Sequence, residues 1–421
     1  MSLTERDQKH IWHPLTQHQI NSTFLPISKA KGVLLFDENN NEYIDGISSW
    51  YTAMFGHCND YIIEKVTNQL KTLDQIIFAG LTHEPAIQLS ELLIEILPEN
   101  QEKIFFSDNG STANEIAIKM SLQYHYNKGV KKDTIIAFEN GFHGDTFGAM
   151  SASGLAVYNG PFKAHLLKVE RIPTPNEANF EKTLQKLKDL IAQNKVSCFI
   201  YEPLVQGANS MHMYKAEHLE QILQVCKSNH VICIADEVMT GFGKLGTNFA
   251  SDHIETKPDI ISLSKALTAG VVPMAATSCS IDIYNAFLSD SVDNAFFHAH
   301  TYTANPIACS AAIAGIELLK SKEIKANIQT IITSHQNFNE KIKNHPKIES
   351  ARQLGVIFAL DLNIDMDRYG SKRDEIQKSF MKKGVYLRPL GKTIYMVPAF
   401  LISALHLSKI YASIEEVLEE L

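Results

Sequence analysis

Five short apolar runs, each closed by polar residues and set among stretches of helical spacing, constrain this chain more than any other feature. They are Ile104-Phe105-Phe106, Ile135-Ile136-Ala137-Phe138, Cys198-Phe199-Ile200-Tyr201, Val231-Ile232-Cys233-Ile234-Ala235 and Ile260-Ile261. Continuous runs of this length fit strands covered on both faces, whereas a strand with one wet face would alternate. Segments such as 180–191 and 216–227 carry apolar residues at helical intervals. The pattern predicts an α/β fold with a mostly parallel central sheet.

Open sheets of this kind bind ligands outside the carboxyl ends of their strands. Run 231–235 leads directly into Asp236, and run 260–261 leads through Ser262-Leu263-Ser264 to Lys265. One strand–helix–strand unit separates them, so both should face one crevice. Ser107-Asp108-Asn109-Gly110-Ser111-Thr112-Ala113-Asn114-Glu115 follows the first run and opens a helix, with Thr112 and Glu115 at capping-box spacing. Gly110 allows a tight turn, and free N–H groups at a helix start can hold a phosphate. Each feature also has a plain reading: a surface lysine, a capping acid, a capped helix.

Outside the sheet pattern, residues 1–30 read as irregular, 32–45 as a hairpin with an Asn-rich turn, and 62–73 and 86–97 as helices. Residues 171–176 read as a surface loop. After Pro306 come helices 307–320 and 323–343, then a smaller α+β part: strand 357–362, helix 373–383, strands 385–387 and 394–396, and a last helix. The division expected is an N-terminal segment, 1–60, packing with the small domain, then a large cofactor-binding domain, 61–310, and a C-terminal small domain, 311–421.

A net charge of −8 argues against a nucleic-acid partner. The six cysteines form no CxxC pair, which excludes the usual zinc spacings and suits a reducing cytoplasm. His10, His13, His18, His298 and His300 match no helical ligand pair, so no metal is expected. The start lacks an apolar signal core and no stretch reaches about 18 apolar residues, so a cytoplasmic chain without a membrane partner is expected. Gly241 to Gly246 formally fits GxGxxG, but five residues part it from the strand, against a nicotinamide site.

A phosphate cradle, an acid and a lysine in one crevice match the needs of pyridoxal 5′-phosphate: covalent attachment, a counter-ion for the pyridine nitrogen, and an anion site. Several segments add to this. They are Ile11-Trp12-His13-Pro14, Ile47-Ser48-Ser49-Trp50-Tyr51, Asn140-Gly141-Phe142-His143-Gly144-Asp145-Thr146, Asp236-Glu237-Val238 with Thr240-Gly241-Phe242-Gly243, Ser264-Lys265-Ala266-Leu267-Thr268 and Arg388-Pro389-Leu390-Gly391-Lys392. Nearly end to end, the chain resembles the class III, or ω-amino, aminotransferases. The Trp-His-Pro, Ser-Ser-Trp and Arg-Pro-x-Gly-Lys segments resemble the branch of that family serving biotin biosynthesis.

The resemblance implies a fold-type-I transferase dependent on pyridoxal phosphate, with Lys265 as Schiff-base lysine and proton shuttle and Asp236 on the pyridine nitrogen. It implies Gly110 and Ser111 as phosphate cradle, Val238 and Phe142 on the two ring faces, His300 as a further cofactor contact, and Thr301 reaching the phosphate of the neighbouring subunit in a homodimer. Trp50, Phe142, Lys265, Ala299 and Arg388 are its implied substrate residues. The implied substrates are a small keto acid and an amino donor, S-adenosylmethionine or lysine. Phe142 stands where many members carry tyrosine, Leu15 where an aromatic is expected, and Ala299-His300 where some have Gly-Pro. Alternatives are an aminotransferase for another ω-amino acid, of the ornithine or 4-aminobutyrate type, and a cofactor-binding regulator without turnover.

Overall fold

The computed structural model describes residues 1–21, 24–193 and 195–421. A seven-stranded sheet forms its centre, in the order Lys103–Ser107, Ala275–Cys279, Ile260–Leu263, Ile232–Asp236, Val196–Tyr201, Thr134–Phe138, Val169–Ile172. Every pairing from 260–263 across to 169–172 is parallel. Ala275–Cys279 runs antiparallel to both neighbours, which returns Lys103–Ser107 to the common direction. The carboxyl ends of all the other strands therefore open on one edge. Asp236 pairs across from Ser262, three residues before Lys265, so acid and lysine leave adjacent strands close together.

The five apolar runs lie in strands of this sheet, Val231 alone preceding its strand, and two further strands were not expected. Ala275–Cys279 is wholly buried but contains only Ala, Thr, Ser and Cys. Its hydroxyls are satisfied internally: Thr277 Oγ1 donates to the Ala113 carbonyl at 3.0 Å and Ser278 Oγ to Gln101 Oε1 at 2.7 Å. Val169–Ile172 takes the sheet edge and corrects the surface-loop reading of 171–176, which holds only from Pro173 onward. Ile172 is buried there, and the Arg171 guanidinium fastens the carbonyls of Ser151, Ala152 and Ser153 at 2.7 to 2.8 Å.

The first thirty residues are not irregular throughout, for they hold the helix Leu3–His10 and the strand Ile27–Lys31. That strand joins Leu34–Asp37, Glu42–Asp45 and Val385–Tyr386 in a four-stranded sheet, so the amino-terminal segment pairs with the carboxyl-terminal part. Asp37 closes the Asn-rich turn by accepting from the N–H groups of Asn39 and Asn41 at 2.9 and 2.8 Å. A third sheet, Ile348–Leu354, Ile357–Leu362 and Thr393–Met396, is antiparallel. Helix Pro306–Lys320 crosses the expected boundary at 310. Its small residues let it pack closely, and a Cβ on Gly315 would sit 3.6 Å from both Ala269 and Phe55. Among the described residues no helix is long and apolar enough to cross a membrane.

Candidate active site

One cavity of about 660 Å³ opens at the carboxyl edge of the sheet. Trp50, Gly110, Ser111 and Phe142 line it, as do Asp236, Val238, Lys265 and Arg388. These eight are the site residues expected from the sequence other than Ala299, His300 and Thr301. Ala299, His300 and Thr301 are not in its wall; they lie in a surface turn where the Thr301 carbonyl accepts from Gln75 Nε2 at 2.8 Å.

The helix behind Gly110 begins earlier than the capping-box reading of Thr112 and Glu115 implies. Asn109 is the cap: its Oδ1 accepts from Thr112 N at 3.0 Å, and its own N–H donates to Thr112 Oγ1 at 3.2 Å. Glu115 serves the neighbouring helix Phe147–Ala152 instead, accepting from Thr146 Oγ1, Gly148 N and Ala149 N. Starting the helix at Gly110 puts the N–H groups of Gly110 and Ser111 in its first turn, where backbone donors and helix dipole favour an anion. A Cβ on Gly110 would stand 2.7 Å from Val238 Cγ1, so only glycine lets the turn approach Val238 this closely.

Asp236 ends its strand as a buried carboxylate with three donors. Oδ2 accepts from Asn114 Nδ2 at 2.7 Å and from His143 Nδ1 at 2.8 Å, and Oδ1 accepts from Val238 N at 3.1 Å. His143 Nε2 is buried without a partner among the described residues, although His143 lines the cavity.

Lys265 follows the neighbouring strand with a left-handed φ of 50°. Burial pulls its amine below the usual lysine range, and the charges of Asp236 and Glu202 partly oppose this. Glu202 accepts from Phe142 N and Gly207 N, both at 2.9 Å, and burial pushes its carboxyl up to about 7.

Lys265 Nζ stands 5.1 Å over the Tyr51 ring, and the Arg388 guanidinium stands 4.8 Å over the ring of Trp50. Both aromatics sit on an unusual backbone. Ser48, Ser49, Trp50 and Tyr51 all have φ between 47° and 70°, a single left-handed turn built without glycine. Such a conformation costs roughly 1–2 kcal/mol per residue. The Asp45 carboxylate compensates by accepting from Ile47 N, Ser49 N and His57 Nε2, and Ser48 Oγ donates to the Val397 carbonyl at 2.7 Å.

A family model for aminotransferase class-III matches residues 15–418. The chain belongs to the class III aminotransferases. Adenosylmethionine-8-amino-7-oxononanoate aminotransferase of Synechococcus elongatus is 39% identical, covering 98% of this chain and 99% of the relative. The protein of the same name from Helicobacter pylori is 36% identical, covering 100% and 98%. Among solved structures, that of the Methanocaldococcus jannaschii protein of this name superposes with a TM-score of 0.94 at 34% identity, over 99% and 98% of the two chains. An omega transaminase from Pseudomonas jessenii shares the fold, with a TM-score of 0.92 at 24% identity over 100% and 98%.

As an aminotransferase of this class the enzyme uses pyridoxal 5′-phosphate. The residues present fit that group: an anion-favouring turn that a Cβ at Gly110 would fill, and a buried acid held by three donors. The aminotransferase fold also brings in residues that spacing alone did not single out. Asn114 and His143 hold Asp236, Glu202 stands behind Phe142, and Tyr158 and Arg368 close one wall. His143 and Asn114 lay within quoted segments, where their side-chain targets could not be read. Among the described residues no cluster of three or more His, Cys, Asp or Glu is arranged to hold a metal.

Proposed function

We propose that this aminotransferase delivers an amino group to the 7-keto carbon of 8-amino-7-oxononanoate. The product is 7,8-diaminononanoate, for biotin synthesis in the cytoplasm, and the donor is S-adenosylmethionine, with lysine as the alternative donor. The observation that carries the reading is Arg388 stacked on Trp50 within the cavity that holds Asp236 and Lys265. A guanidinium presents paired donors to a carboxylate at the far end of a substrate, and the indole offers an apolar wall to the chain between. Relatives of that name at 39% and 36% identity support the same substrate.

When bound, the cofactor supplies the electron sink for the carbon that loses its proton. Asp236 gives its ring nitrogen a fixed negative neighbour. Lys265, whose amine is easily neutral because it is buried, takes the proton from the substrate carbon and returns it. Gly110 and Ser111 hold the phosphate at the helix start, with Val238 and Phe142 on opposite faces of the ring. We assign Ala299, His300 and Thr301 to the site of a second copy in a homodimer. Ile77, Leu81, Phe297 and Tyr302, in the same and hydrogen-bonded segments, are exposed large apolar residues that support this contact.

The test is to incubate purified holoenzyme with 8-amino-7-oxononanoate and each donor and to detect the diamine by mass spectrometry. Parallel double-reciprocal lines and a strongly raised keto-acid KM in Arg388→Ala are expected. Turnover of ornithine or 4-aminobutyrate without any diamine would favour the other ω-amino-acid reading.

A further inference from the structure

A second arginine stands in the cavity wall. Arg368 lies in the segment leading to helix Ser371–Lys382, and its Nη2 donates to the Ala208 carbonyl at 2.6 Å and to the Tyr158 hydroxyl at 3.2 Å. Tyr158 is held in turn by Tyr369, hydroxyl to hydroxyl at 3.0 Å. Burial acts most on the charge of Arg368 and disfavours it, but the two phenols outweigh burial and hold the guanidinium above its usual range. Its Nε is shielded from water and has no hydrogen-bond partner among the described residues. A partly buried guanidinium in the cavity wall, with no carboxylate among its hydrogen-bond partners in the described residues, can pair with an anion that arrives with a ligand.

Its position says which anion. The Tyr158 ring lies 5.0 Å from the ring of Phe142, the residue next to His143, which bonds Asp236. Arg368 therefore stands on the Phe142 side of the cavity, while Arg388 stacks on Trp50. The two arginines come from touching segments, since a Cβ on Gly391 would stand 3.3 Å from Arg368 Cα. An aminotransferase admits two substrates to one cavity in turn. The keto acid proposed above carries its carboxylate at the end of a long chain, but an α-amino-acid donor carries one beside the reacting carbon. One guanidinium cannot meet both distances without moving.

We propose that Arg368, positioned by Tyr158, binds the α-carboxylate of the amino donor, leaving Arg388 to the keto acid. This rests on the aminotransferase reading and deepens it: Arg368 makes the donor class an α-amino acid and not a simple amine.

The experiment follows the donor half-reaction alone, by the change in visible absorbance of the holoenzyme on rapid mixing. Donors are L-lysine and S-adenosyl-L-methionine, each beside its decarboxylated counterpart, 1,5-diaminopentane and decarboxylated S-adenosylmethionine. Arg368→Gln should raise the half-saturating concentration of the carboxylated donor about 10- to 100-fold while the decarboxylated amine moves less than about threefold. Arg368→Lys should recover part of the loss, and Tyr158→Phe should show a smaller loss with the same selectivity. Equal losses for both kinds of donor, or a loss confined to the keto-acid half-reaction, would overturn the assignment. So would a wild-type enzyme that reacts with the simple amines as readily as with the amino acids. A merely structural role would lower the thermal midpoint and depress all donors together. Failure of the aminotransferase reading itself would look different, since no donor would then change the wild-type spectrum.

Discussion

His143 Nδ1 lies 2.8 Å from Asp236 Oδ2, with both side chains almost wholly withdrawn from solvent. The same oxygen accepts from Asn114 Nδ2, so two side chains brought from separate elements converge on one carboxylate atom. Their consequence is positional: with both donors on one oxygen, the carboxylate is held in a single orientation at the cavity wall. His143→Ala and Asn114→Ala should each weaken cofactor retention and lower kcat about 10- to 100-fold, the range expected for one hydrogen bond to a charged group. The double variant should fall short of the product of the two losses, since both donors share one acceptor. Cofactor titration by visible absorbance, beside single-turnover rates, checks both statements.

Gly110 makes a sharper steric test. An alanine there brings its Cβ to 2.7 Å from Val238 Cγ1, closer than carbon atoms pack. Either the helix start or Val238 must move, and both belong to the proposed cofactor pocket. Gly110→Ala should weaken cofactor binding by about tenfold or more, since overpacking costs about 1–3 kcal/mol. Adding Val238→Ala should restore part of the affinity by removing the atom that clashes. A loss that the second substitution leaves unchanged would mean that the glycine is needed for another reason.

How far the sequence carried depends on how each residue is recruited. Asp236 and Lys265 were readable because one ends an apolar run and the other follows a few residues after one, and the strand directions then fix the edge they share. Ala275–Cys279 was not, because small and hydroxylated residues leave no hydrophobic signature, even in a wholly buried strand. Val169–Ile172 hid behind the charges of Glu170 and Arg171, which an edge strand tolerates. Arg368 and Tyr158 meet across 210 residues, so no local spacing could join them. The capping error was of another kind: Thr112 was correctly placed in a capping box but assigned the wrong end of it, because Asn109 can fill the first position equally well.

The left-handed turn at Ser48–Tyr51 depends on Asp45. Its carboxylate holds Ile47 N at 3.2 Å, Ser49 N at 2.7 Å and His57 Nε2 at 2.9 Å. Asp45→Asn places an amide where one oxygen now accepts, so two donors would face a third. The variant should lose about 1–3 kcal/mol of stability, the cost of leaving buried donors unpaired. It should also raise the keto-acid KM more than the donor KM, because the turn carries Trp50, on which Arg388 stacks. Denaturant midpoints and separate half-reaction kinetics read the two effects. Equal rises in both KM values would detach the turn from keto-acid binding.

Lys244 links burial to pH. Its side chain is fully enclosed, with Nζ donating to the Gly241 carbonyl at 2.8 Å. Burial pushes the amine from its ordinary 10.5 down to about 7; the charge of Lys265 acts in the same direction and that of Glu237 against it. Above 10.5 the lysine is neutral in both folded and unfolded chains, and its contribution to stability is complete. Between 10.5 and about 7 only the unfolded chain holds the proton, so stability falls as pH falls, by up to about 1.4 kcal/mol per pH unit. Glu202, raised to about 7, acts with the opposite sign at lower pH, losing its contribution as pH rises toward that value. That slope is common to wild type and Lys244 variants and cancels between them. Lys244→Met keeps the volume and removes the charge. Its stability relative to wild type, from urea midpoints, should be greatest near pH 6.5 and shrink steadily toward pH 9.5. A difference constant across that range would mean that the folded lysine keeps its ordinary affinity for the proton.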